Sequence, residues 1–152
     1  MSVLFRNSQK GVGVLPGSVA ALADFVLERE GSPEKEVSVL FVDDSQITEL
    51  NRRHLGRNGP TDVLAFPMSR EGEVDLHPEI LGDVVVSAER AISYAREHAL
   101  DPGEELSLYL IHGILHLLGY DDVDYAEARR MRRREKELLG EASKRDLLVK
   151  IA

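Results

Sequence analysis

The sequence predicts an α+β fold, with a sheet of about four strands, about five helices, and one His-bearing helix at the centre. Three observations predict it. Short β-branched runs fall before Ser87, helical periodicity takes over from there, and the later segment LSLYLIHGILHLLG is apolar almost all round. Strands gathered early and helices gathered late argue against a doubly wound sheet.

Val3 to Arg6 reads as a short strand. Pro16 to Glu30 follows as a helix, with Val19, Leu22, Ala23, Val26 and Leu27 at helical spacing and Gly31 as its stop. Between them, Gly11 to Gly17 has loop composition. Val37 to Val42 is β-branched and apolar, and Asp43, Asp44 and Ser45 can cap a helix carrying Ile47, Leu50 and Asn51. Val63 to Phe66, ended by Pro67, and Leu81 to Val86 complete the strands, with a loop-like stretch from Arg70 to Pro78 between them. A helix through Ala88, Ala91, Ile92 and Ala95 ends near His98. Asp101 then serves as N-cap, with Pro102 at the first helical position and Glu104 at the capping-box position; Gly119 sits where a left-handed C-cap belongs. Two more helices are expected, Val123 to Leu139 and Ser143 to Ile151.

A chain of 152 residues, 43% hydrophobic and 30% charged, suits one globular domain, 1–152, with a sizeable core. It has no Cys, so any metal must be held by His, Asp or Glu. The first residues lack the apolar core of a signal peptide, and no apolar run approaches the roughly 18 residues of a membrane span. A cytoplasmic protein without a membrane partner is the expectation. A formal charge of −8 argues against a general polyanion binder, yet the charge is unevenly placed. Residues 125–152 carry 9 basic and 5 acidic side chains, net +4, which leaves −12 for residues 1–124. Arg129, Arg130, Arg132, Arg133, Arg134 and Lys136 are nearly contiguous there. Two readings stand: a solvated helix face with Glu127, Glu135 and Glu137 interleaved, or a patch that contacts phosphates.

Within the apolar helix, His112 and His116 stand four residues apart, on one face and about 6 Å apart along the axis. Alone, such a pair is more often incidental than a metal site. Downstream, Gly119 permits a sharp exit from the helix and Asp122 follows, giving H-x-x-x-H-x-x-G-x-x-D. A chain turned back at that glycine can bring the carboxylate beside both imidazoles, a three-ligand site with one open position. Metzincin peptidases share the spacing, but the Glu that serves them as general base is Gly113 here. A bound metal would still support hydrolysis, with the proton moved by another group. Asp121 is the nearest candidate; alternatively it caps the helix that begins near Val123. His54, His77 and His98 read as surface or loop residues, since none lies at ligand spacing to another His.

The run HGILHLLGYDD, His112 to Asp122, closely resembles the signature H-G-x-L-H-L-x-G-Y-D-H of the YbeY-type rRNA maturation endoribonucleases. Two further blocks agree. GRNGPTDVLAFP at Gly56 to Pro67 resembles that family's R-G-x-D-x-P-T-D-V-L-S-F-P, and LGDVVVS at Leu81 to Ser87 resembles its L-G-D-I-V-I-S. The resemblance implies a mixed four-stranded α+β fold, and one divalent ion, zinc by family, held by three side chains. It also implies cleavage of single-stranded RNA in small-subunit rRNA maturation and ribosome quality control, with rRNA, the ribosome and small-subunit proteins as partners. By position His112 and His116 are the first two ligands; the third, His in the family, is Asp122 here. Asp is an acceptable zinc ligand, but its charge reduces the ion's acidity towards water and opposes an approaching phosphate. Leu55 stands where many members carry Arg, with Arg53, Arg57, Arg52 and Arg70 near by, and Ala65 replaces the Ser of L-S-F-P. Arg53 or Arg57 is expected to face the phosphate and Asp121 to move the proton. Two competing functions remain: a metallopeptidase, disfavoured by Gly113, and a ribosome-associated binding module whose metal is structural.

Overall fold

A computed structural model describes residues 3–69 and 72–152. Nine elements follow in chain order: β1 (Val3–Asn7), α1 (Pro16–Arg29), β2 (Glu36–Val42), α2 (Asp44–Leu55), β3 (Val63–Pro67), β4 (Ile80–Ser87), α3 (Ala88–Glu97), α4 (Pro102–Leu117) and α5 (Tyr125–Lys144). Side-chain caps fix most helix starts. Asp43 accepts from the Gln46 N–H while Gln46 accepts from the Asp43 N–H, a reciprocal capping box. Ser87, Asp101 and Asp124 cap α3, α4 and α5 in the same sense; such a cap contributes about 1 kcal/mol. Arg70 lies outside the described residues.

The strands order as β1-β2-β4-β3, with β1, β2 and β4 parallel and β3 antiparallel to β4. The sheet is therefore mixed, with five helices on it. Its first half is a βαβ unit in which α1 crosses from β1 to β2. One face carries the main core: Val37, Val39, Phe41, Val84 and Val86 meet α1 and α4. The opposite face holds a smaller cluster, Val42, Leu64 and Val85 under Ile47 of α2. Leu106, Leu110, Ile111, Ile114 and Leu115 of α4 are fully buried, as the all-round apolar sequence requires. α4 also lies unusually close to the sheet. A Cβ on Gly113 would stand 2.4 Å from Val84 Cγ1 and 3.2 Å from Val63 Cγ2, so only glycine fits at this crossing.

The expected helix from Ser143 to Ile151 does not form. Met131, Leu138 and Ala142 continue one buried stripe, so α5 runs past Leu139 and Gly140 to Lys144. Asp146 then adopts a left-handed φ of 56° and the tail extends. Its amides find partners elsewhere: Val149 N–H donates to Ser107 Oγ (2.8 Å), and Lys150 N–H to Ser18 Oγ (2.9 Å). Ile151 bridges Val14. Those bonds replace the ones a helix would have supplied. Among the described residues, no helix is long and apolar enough to cross a membrane.

Candidate metal centre and its cleft

His112 and His116 project from the same face of α4, both half-buried, with ring centroids 5.0 Å apart at 77°. α4 ends at Leu117, and Gly119 takes φ 104°, a value side chains rarely adopt. The turn is held by Gly119 N–H to His116 O (3.1 Å) and Tyr120 N–H to Leu115 O (3.0 Å). It brings Asp122 back beside the helix, with Asp122 Oδ1 3.6 Å from His116 Nε2. His112, His116 and Asp122 each offer one ligand atom, and these atoms lie within 4.8 Å of one another. Zinc bonds its donors at about 2.0–2.2 Å, so modest closure around an ion completes three corners of a tetrahedron.

Glu135 of α5 supplies a fourth feature. Its Oε2 lies 2.8 Å from His112 Nδ1, and the residue is only 9% exposed although charged. That contact sets the imidazole with Nδ1–H towards the carboxylate and leaves Nε2 for an ion, the arrangement usual around ligating histidines. The residues present therefore fit a divalent metal: two imidazoles, one carboxylate and an orienting carboxylate behind the first. Glu135 is not on the solvated face where the sequence reading put it. Its signal was positional: with Met131, Leu138 and Ala142 it occupies one stripe of α5, a lone charge among apolar neighbours.

The site opens into a cleft of about 900 Å³ between α4, the α2–β3 connection, β3 and the turn after α4. Arg57 and Asp121 line it, and so do Leu55, Ala65 and Asp122. Arg53 does not line it. α2 ends at Leu55 with Gly56 left-handed (φ 65°), so Arg57 turns away beyond the cap while Arg53 stays exposed on the last helical turn. Asp121 does not cap α5; Asp124 does, accepting from Glu127 N–H at 2.8 Å. Instead Asp121 Oδ1 accepts from Asp122 N–H (2.7 Å), bracing the loop that carries Asp122. At the cleft's far end Asp62 pairs with Arg90 (2.9 Å). Tyr109 stands nearby, its phenol pushed well above the usual range by burial and then by Asp62 and Glu105. Burial likewise raises the Glu105 carboxyl. His54, His77 and His98 are all exposed, as expected.

The model of the Endoribonuclease YbeY family matches residues 6–143. An endoribonuclease YbeY of Syntrophotalea carbinolica is 43% identical over 135 residues, covering 88% of this chain and 90% of its own length. One from Pelotomaculum thermopropionicum is 45% identical over 147 residues, covering 92% and 96%. That of Bacillus subtilis is 38% identical over 128 residues, covering 80% and 82%. Among solved structures, the solution structure of a Thermotoga maritima protein is similar over 95% of this chain and 94% of its own, with TM-score 0.64 and 27% identity.

Proposed function

The chain belongs to the Endoribonuclease YbeY family, and from that premise we propose that it is a metal-dependent endoribonuclease acting on single-stranded RNA in rRNA maturation. One observation carries the reading: the donors of His112, His116 and Asp122 converge at the edge of a cleft, with Glu135 orienting the first of them. These three side chains would hold the ion, zinc by the chemistry of the donor set. When bound, a divalent ion polarises a phosphoryl oxygen and makes water more acidic. The remaining work belongs to the chain. Arg57 neutralises a non-bridging phosphate oxygen, whose charge grows towards the transition state. Asp121, beside the third ligand, accepts the proton of the attacking oxygen. Leu55, Val63 and Leu108 give the cleft apolar walls against which a base can rest. A single strand can offer such a base unstacked, whereas a duplex keeps its bases inside. Arg53, outside the cleft, has no part in this mechanism. The peptidase alternative loses ground, because the position of its general base is filled by the α4–sheet contact at Gly113. A cytoplasmic location and contact with the small ribosomal subunit follow from the same proposal.

The test is metal content and cleavage of a labelled single-stranded RNA on one preparation. His112→Ala with His116→Ala should remove both. Asp121→Asn and Arg57→Ala should keep the metal and lose about 100- to 1,000-fold in rate. Asp122→His should retain metal, whereas Asp122→Ala should weaken it. A metal-loaded parent that cuts no RNA would replace the enzyme with a binding module. Parent-rate cleavage by Asp121→Asn and Arg57→Ala would remove the assigned roles.

A further inference from the structure

Six basic residues crowd the stretch Arg129 to Lys136 of α5, but they divide by helix face. Glu135 points at His112, and at 3.6 residues per turn Arg134 falls on one flank of that direction while Arg132 and Lys136 fall on the other. Arg134 is committed: its Nε lies 2.6 Å from Glu30 of α1. That flank therefore faces α1, which covers the β1 end of the sheet. The cleft lies at the β3 end, so the opposite flank looks over the cleft side. On it stand Tyr125, Arg129, Arg132 and Lys136, at i, i+4, i+7 and i+11, all exposed. Arg129 lies 5.7 Å over the Tyr125 ring. Among the described residues, no carboxylate lies within ion-pair distance of these three cations, in contrast to Arg29, Arg134 and Arg145. The stripe begins three residues after Asp122 and two after Val123, both of which line the cleft.

We propose that Tyr125, Arg129, Arg132 and Lys136 form a track for single-stranded RNA as it leaves the cleft, the tyrosine stacking a base and the cations holding successive phosphates. This rests on the endoribonuclease reading above. The chemistry favours a polyanion with exposed bases. An aromatic ring beside unpaired cations is the usual make-up of a single-strand platform, and residues 1–124, at −12, repel phosphate elsewhere. The stripe spans about 16 Å along the helix, room for roughly two or three phosphates.

The test is binding of a 2′-O-methyl single-stranded RNA, which resists cleavage, measured by fluorescence anisotropy across a salt series. Arg129→Gln, Arg132→Gln and Lys136→Gln together should weaken binding and reduce the slope of log Kd against log salt by about 2, since each lost phosphate contact is worth about 0.7. Tyr125→Leu should weaken binding about tenfold and leave the slope unchanged. A control with Lys10→Gln, Arg96→Gln and Lys150→Gln removes equal charge elsewhere and should match the parent. An unchanged slope in the stripe variant, an equal loss in the control, or stripe-dependent binding of polyglutamate without RNA binding would each overturn the proposal. Cleavage of unmodified RNA by the same variants separates the two readings: an unchanged slope with metal-dependent cutting sinks only the track. A stripe-dependent slope without any cutting by the parent sinks only the nuclease.

Discussion

α4 and α5 pack against each other yet are built from opposite materials. α4 is apolar on nearly every side and pressed onto the sheet; α5 buries one narrow stripe and leaves the rest of its surface charged. The difference assigns their tasks. A helix held by packing on all sides cannot shift, so it fixes the two imidazoles. A helix held along one stripe can hold His112 through Glu135 on that stripe and present cations on a flank.

The strongest way to break that contrast is at the α4 crossing. Gly113→Val should force the helix away from Val84 and Val63, costing about 3 kcal/mol. That corresponds to a fall in Tm of roughly 6–12 °C for a chain of this size, and zinc affinity should fall with it. Thermal unfolding with zinc competition checks this; parent-like zinc affinity in a destabilised variant would show that packing does not set the ligands. Glu135→Gln should do the converse. Zinc affinity should drop about 10- to 100-fold with little change in Tm, and imidazole nitrogen shifts of the metal-free protein should report a loss of the preferred His112 tautomer. Retention of both would mean that α5 does not orient the site.

A smaller effect is expected where the tail meets α4. Ser107→Ala leaves the buried Val149 N–H without its acceptor and should cost about 1–2 kcal/mol, read as faster amide exchange at Val149 with zinc affinity intact. The smallest concerns Glu105. Burial raises its carboxyl above 4.5, so the native state binds that proton more tightly than the unfolded chain does. Stability therefore declines as pH rises from the unfolded value through the native one. Glu105→Gln should escape this decline, raising Tm at pH 7 and leaving it unchanged near pH 3.5. The opposite sign at pH 7 would mean that the charged form gains more from its neighbours than burial removes.

Most of this architecture was legible because it depends on local chemistry. The Asp101 cap, the apolar run and the 112/116 spacing identify α4 and its two-histidine face without any tertiary information. What escaped depends on direction. Nothing in an Arg-rich run with Glu127, Glu135 and Glu137 interspersed says which carboxylate turns inward, although the spacing from Met131 to Ala142 passes through Glu135. Arg53 and Arg57 are equivalent on paper; the left-handed Gly56 between them separates helix surface from cleft wall. Leu147, Leu148 and Val149 suit a helix by composition, but Ser107 and Ser18 offer the tail's amides bonds that no reading of that segment alone could count.

The position of β3 has a consequence for solubility. As an outer strand of the sheet it has one edge free of β4, and a free edge is a template on which a second chain can pair and aggregate. β3 is short, ends in Pro67, which has no N–H to offer, and lies in a cleft whose other lining residues include Asp62, Asp121 and Asp122. Another flat strand edge meets repulsion and too few partners there. The groove proposed to admit one strand of RNA thus also guards the sheet against self-association.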